Sequence, residues 1–201
     1  VAGYNTQEDN AIAIGNQSGE ELQGASAVAI GKLSGNENQG SSATAIGNEA
    51  GQSSQGNNSI AIGLRAGNLD QNGGAVALGS GAGQNTQGDN AIAMGNQAGQ
   101  NTQGASAVSI GKQSGKENQG SSATAIGNEA GNENQGNNAV AIGLRAGQSS
   151  QGHNAIAIGN MAGKSSQAND SIVINATGPP LENTTADSCK IAPIRTSTGI
   201  S

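Results

Sequence analysis

Side chains able to do acid–base, nucleophilic or metal chemistry are few and scattered. One His (His153), one Cys (Cys189) and one Tyr (Tyr4) stand among 201 residues. A single imidazole and a single thiol cannot complete a Cys/His zinc site, and nearby sequence supplies no partner for a Cys–His nucleophile. Asp is too sparse for calcium-binding nonapeptide repeats, which place it in every unit. No catalytic, metal or cofactor constellation recurs, so the protein is read as a non-enzyme without cofactor. His153 shares the corner class of Asn57 and Asn137 and is expected at an exposed turn. Cys189 is expected to be a free or buried thiol, with an inter-chain role as the alternative. Asn-x-Ser/Thr sequons begin at Asn16, Asn57, Asn169, Asn175 and Asn183. That number is expected by chance in a sequence so rich in Asn, Ser and Thr, and glycosylation would need a secretory or viral route.

The most regular polar group is an amide. Gln recurs at Gln7, Gln23, Gln39, Gln55, Gln71, Gln87, Gln103, Gln119, Gln135, Gln151 and Gln167, at a constant spacing of sixteen. Such a column can stack its amides, or bond corner backbone, or form a ligand-binding stripe; the first two are expected. Glu49 and Arg65 sit one period apart, as do Glu129 and Arg145. They should pair from one unit to the next, as aids to register and not as sites, because exposed pairs contribute only about 0–1 kcal/mol.

Composition narrows what could position these groups. Eight Lys plus Arg against 14 Asp plus Glu give 8 − 14 = −6, and there is no Trp or Phe. An acidic protein with one Tyr lacks the basic face and stacking platforms of a nucleic-acid binder. The same shortage of aromatics argues against a pocket-type sugar site. No apolar run approaches the roughly 18 residues that a membrane-spanning helix needs, so no membrane insertion is expected. Val1 opens the sequence, which is expected to be a processed product or a fragment. Ile, Val and Leu total 30 of 201 residues, below the roughly 20% at which proteins commonly build a core. Composition alone would indicate disorder.

Periodicity reverses that reading. Gly15, Gly31 and Gly47 begin a series that recurs at every sixteenth position to Gly159, and Gly19, Gly35 and Gly51 begin a second that runs to Gly163. Before each first Gly stand small and aliphatic residues in alternation, as in Ala11-Ile12-Ala13-Ile14-Gly15. Period two over four residues is a short strand, and the flanking Asn, Ser, Asp and Gly are turn formers. Both Gly series are expected at corners needing φ > 0 or lacking room for a Cβ. Sixteen residues suit one coil of a parallel β-solenoid with rungs about 4.8 Å apart. The fold expected is all-β, a rod of about eleven coils over residues 1–175, with residues 176–201 as a neck-like cap and junction. The large aliphatics Ile12, Ile14, Ile60, Ile62, Ile156 and Ile158 are expected inside the coils, with the Ala rows facing neighbouring chains. Ser41–Gly67 recurs at Ser121–Gly147 with SSATAIGNEAG and AIGLRAG intact, an offset of five periods, so the array is read as two five-coil blocks. Five Gly make Leu69–Gly83 the coil expected to be weakest. Asn175 in place of a corner Gly, followed by Pro179-Pro180, is expected to end the ladder, leaving Lys190–Arg195 to lock neighbouring chains together.

NAIAIGNQSG, SAVAIGKLSG and NSIAIGLRAG resemble the head repeats of trimeric autotransporter adhesins, the YadA-like head, over about Gln7 to Asn175. SIVINATG (Ser171–Gly178) and KIAPIR (Lys190–Arg195) resemble segments that follow such repeats in surface and fibre proteins of large DNA viruses, chloroviruses and giant viruses among them. These resemblances imply a left-handed parallel β-roll packed as a homotrimer. They imply an extracellular, structural and adhesive fibre segment on a virion or cell surface, binding a host-surface glycan or protein. Two alternatives remain: a self-assembling filament without a receptor, and an ice-binding solenoid. The latter wants an outward row of Thr, which the lone Thr44 and Thr124 do not make.

Overall fold

A computed structural model describes residues 1–194. The protein is all-β, a parallel solenoid whose coils repeat with a period of sixteen. One strand of each coil begins just before the first corner Gly, as in Ile12–Ile14, Val28–Ile30 and Thr44–Ile46. These three- and four-residue strands stack in strict register into one 12-stranded parallel sheet, which at about 4.8 Å per rung makes a rod roughly 50 Å long. The Gln-containing segments stack along the opposite side, as short strands such as Glu37–Gln39 and Ser53–Gln55 and elsewhere as single bridges such as Gln87↔Gln103. Among the described residues no helix is long and apolar enough to cross a membrane.

The corners behave as the Gly series implies. Gly15, Gly31 and Gly47 have φ of 128–131°, and Gly19, Gly35 and Gly51 have φ of 49–52°. A Cβ on Gly31 would lie 2.5 Å from the carbonyl oxygen of Gly47, directly above it in the next coil. Gly is not the sole left-handed residue, however. Gln17, Leu22 and Ser26 also have positive φ within one coil, and their counterparts repeat along the rod. Such a conformation costs a non-glycine residue about 1 kcal/mol. It persists because each turn is bonded to a neighbouring coil, as Leu33 N–H donates to the Asn16 carbonyl at 2.9 Å.

The interior corrects the expected core. Ile12, Ile14, Ile60 and Ile158 are 47, 57, 37 and 38% exposed, and Ile62 and Ile156 are half-buried. They line the outside of the sheet. The interior holds Ala columns instead: Ala45, Ala61, Ala77 and Ala93 at mid-strand, and Ala50, Ala66, Ala82 and Ala98 before the second corner Gly. The reason is width. A Cβ built on Gly19 would come within 3.3 Å of the Ala13 Cβ and 2.6 Å of Gln23 Oε1. A coil that narrow accepts a methyl group and a flat amide, and along the sixteen-residue coils up to Ala157 the branched aliphatics of the strands point outward.

The expected boundary at residue 175 also moves. Cys189–Ala192 forms a strand in parallel register on Ile172–Asn175, so coil stacking runs to Ala192. The last step, from Ile172 to Cys189, is longer than the others by a single residue. Pro179 and Pro180 lie exposed on its corner, where no ladder donor is required. Val173 and Leu181 fill the interior at this end, and Asn183 stands where a ladder Gln would be. Lys190 thus belongs to a strand of its own rod, with Nζ donating to the Glu182 carbonyl at 2.8 Å. Arg195, the end of the expected locking segment, lies outside the described residues.

Candidate interaction surface: an aliphatic face over an amide-filled interior

Two columns of side chains stand on the outer face of the 12-stranded sheet. One runs Ile14, Ile30, Ile46, Ile62, Leu78, Met94, Ile110, Ile126, Ile142, Ile158, Ile174 and Ile191, apolar at every rung. The other carries Ile or Val except at Thr44, Thr124 and Cys189. Residues two apart along a strand share a face, and successive rungs align them. The alternation that places Ala inside therefore forces the large aliphatics of these strands into one straight outer strip. Many of these side chains are more than a third exposed, including Leu78, Met94, Ile110, Ile142 and Ile174. Isolated exposed aliphatics are ordinary, but a contiguous apolar strip the length of the molecule is a candidate interaction face.

Behind that face the Gln column is structural. Gln23, Gln39, Gln55, Gln87 and Gln103 are at most 2% exposed. Each Nε2 donates to the carbonyl of the facing strand, as Gln23 does to Ile12 at 2.8 Å and Gln39 does to Val28 at 2.9 Å. Several also donate to the amide oxygen one coil on: Gln39 to Gln55, Gln55 to Gln71, Gln71 to Gln87 and Gln87 to Gln103, at 3.1–3.2 Å. A second run links Gln119 to Gln167. Between the runs, Ser109 Oγ donates to Gln119 Oε1 at 2.7 Å and supplies the donor there. At the N-terminal end Gln23 Oε1 and Gln39 Oε1 are buried without a donor. With the amide hydrogens committed inside the coil, the ligand-stripe reading loses its chemistry.

The remaining candidates stay apart. Arg65 Nε meets Glu49 Oε2 at 2.6 Å and Arg145 Nε meets Glu129 Oε2 at 2.9 Å, the rung-to-rung pairing that spacing predicts, on side chains 21–54% exposed. His153 is exposed at its turn, where Nδ1 accepts from Asn137 N–H at 3.0 Å. Asn16, Asn57 and Asn169 are exposed; Asn175 and Asn183 are buried, which removes those two sequons as acceptors in the folded protein. Cys189 is an exposed free thiol. No group of three or more His, Cys, Asp or Glu able to hold a metal ion occurs among the described residues. Sequence reasoning missed the aliphatic strip. Its signal was present in the strict large/small alternation, which marks two unlike faces without saying which is inward.

Comparison with protein-family models, curated proteins and solved structures found no match.

Proposed function

We propose that this protein is a segment of a structural and adhesive surface fibre, displayed outside a virion or cell and assembled as a homotrimer through its aliphatic face. The observation that carries this reading is the continuous outer strip of Ile, Val, Leu and Met. The assembly does not pack Ala rows between chains, since those rows fill the coils; the Ile columns take that place. Covering a half-exposed aliphatic contributes on the order of 1 kcal/mol. Two such columns per copy are comparable with the roughly 4–15 kcal/mol cost of association. Once the strip is covered, the surface left to solvent is mostly a lattice of Asn, Gln, Ser, Thr and charged residues repeated along the rungs, interrupted by the exposed Leu22, Leu64, Leu69 and Leu144. A repeated shallow surface attaches by avidity, with many weak contacts to a host-surface glycan or protein replacing one deep pocket.

The test is retention of labelled protein on immobilised glycan panels and on cell surfaces, comparing the assembled form with the strip variant Ile62→Asp. The assembled form should be retained, and the variant should lose at least about tenfold in retention through lost avidity. Equal retention of both would refute multivalent attachment. Retention of neither would refute adhesion and leave a purely structural filament.

A further inference from the structure

The coil from Leu69 to Gly83 breaks the rod's own pattern at one peptide bond. Asn72-Gly73 is the sole Asn-Gly sequence of the protein. The residue after a ladder Gln is Gly at 24, 40, 56, 88, 104, 120, 136 and 152; toward the two ends it is Glu8 and Ala168, and at 72, inside the rod, it is Asn, exposed at the surface. Gly73 sits in open space: a Cβ there would meet nothing closer than the Asn57 carbonyl oxygen at 3.6 Å and Asp89 Oδ1 at 3.8 Å. Its N–H is also free. At four equivalent corners the N–H donates to a side chain one coil on, as Ser41 does to Asn57 Oδ1, Ser121 to Asn137 Oδ1, Asn137 to His153 Nδ1 and His153 to Asn169 Oδ1, at 2.8–3.0 Å. Gly73 N–H, like those of Asn57, Asp89 and Ala105, makes no such bond among the described residues.

We propose that Asn72–Gly73 is a self-modification site, where the folded protein deamidates through a succinimide with water as its only co-reactant. The Gly73 amide nitrogen gives up its proton to water and attacks Asn72 Cγ. A new C–N bond closes the five-membered ring, and the bond from Asn72 Cγ to Nδ2 breaks as the departing nitrogen takes a proton back from water and leaves as ammonia. Water then opens the ring at either carbonyl, leaving aspartate or isoaspartate at position 72. Nothing is oxidised or reduced. Gly at the following position favours ring closure because no side chain restricts the approach of its nitrogen.

The position gives the reaction a consequence. Asn72 N–H donates to the Gln87 carbonyl at 3.0 Å, and its own carbonyl accepts from Ala75 N–H at 3.3 Å. Isoaspartate adds one backbone carbon between those bonds, in an array whose rungs depend on constant register. The new charge also joins those of Asp70 and Asp89. Age would therefore loosen this coil first and divide the rod near its middle.

The test incubates the intact folded protein in mildly alkaline buffer and follows each Asn by peptide mass mapping, with fragmentation to distinguish isoaspartate. Asn72 should convert faster than Asn58 or Asn101, with isoaspartate among the products. Gly73→Ala should slow conversion about tenfold; the open space admits the methyl, and Ala25 and Ala105 already occupy equivalent positions. Asn72→Gly restores the column's usual residue and should abolish the reaction. Conversion of Asn72 no faster than Asn58, reaction only in denaturant, or indifference to Gly73→Ala would overturn the proposal.

Discussion

Within the strand Ile92–Met94, adjacent residues live in opposite worlds. Ala93 is fully buried in the coil, while Ile92 and Met94 face outward, with Met94 more than a third exposed. In ordinary half-buried strands the larger side chain lies inward. Here the sign is reversed, and the reversal separates two tasks. The inside holds one chain in register through methyl groups, a stacked amide column and backbone bonds. The outside holds apolar surface that a single chain leaves uncovered. A solenoid of this width cannot stabilise itself by hydrocarbon burial alone. The Gln ladder and the corner glycines fix the coils, and hydrophobic free energy remains for association.

Substitutions on the two sides should differ accordingly. The largest effect is expected inside: Ala93→Leu has no room, and overpacking should cost at least about 1–3 kcal/mol, whereas Ile110→Ala on the outside should leave the fold of the single chain nearly unchanged. Thermal unfolding followed by circular dichroism compares them; an equal loss from both would mean the inner space is wider than the coil geometry allows. Next is Gln87→Ala. It removes the donor to the Val76 carbonyl and to Gln103, and leaves Gln71 without its amide acceptor. Buried polar groups left unpaired cost about 1–3 kcal/mol, so the loss should exceed that of Asn101→Ala, which removes one half-buried bond from Asn85, again read by thermal unfolding.

The two five-coil blocks sharpen the same contrast. At an offset of five periods, Ala29 of the first corresponds to Ser109 of the second. The Ser109 hydroxyl fills an inner methyl position and gives Gln119 Oε1 the donor that its counterpart Gln39 Oε1 lacks. Ser109→Ala should leave Gln119 Oε1 buried without a donor, as Gln39 Oε1 is beside Ala29, and lower stability by about 1–3 kcal/mol; an increase in melting temperature would show that Gln103 bridges to Gln119 once the hydroxyl is gone. The smallest effect is expected at the surface, where Arg145→Ala breaks an exposed pair worth at most about 1 kcal/mol.

These contrasts define what the sequence made legible. The sixteen-residue period, the two Gly corner series, the stacked amides and the Glu–Arg rungs all follow from spacing, because each depends on a residue meeting its own counterpart one coil on. Three features did not follow. Large/small alternation shows that Ile12 and Ala13 face opposite ways, but the inward side is decided by coil width, which is set by Gly19 approaching Ala13 across the interior. Left-handed conformations at Leu22, Glu49 and Arg65 run against residue preference and are imposed by stacking. The final coil hides behind Pro179-Pro180, since one added residue lets the corner carry both prolines while Asn183 donates toward Ile172 and Ser188 in the manner of the ladder.

The central claim is that the aliphatic strip is an interface between copies of this protein. Sedimentation equilibrium of the intact protein measures it directly, beside the double variant Ile62→Asp, Ile142→Asp, which places a charge at the same outward position of each block. The expected result is a particle of three chains for the wild type and a single chain for the variant, with the same β-type circular dichroism for both. A wild type that sediments as a monomer, or a variant that stays as associated as the wild type, would contradict the assignment.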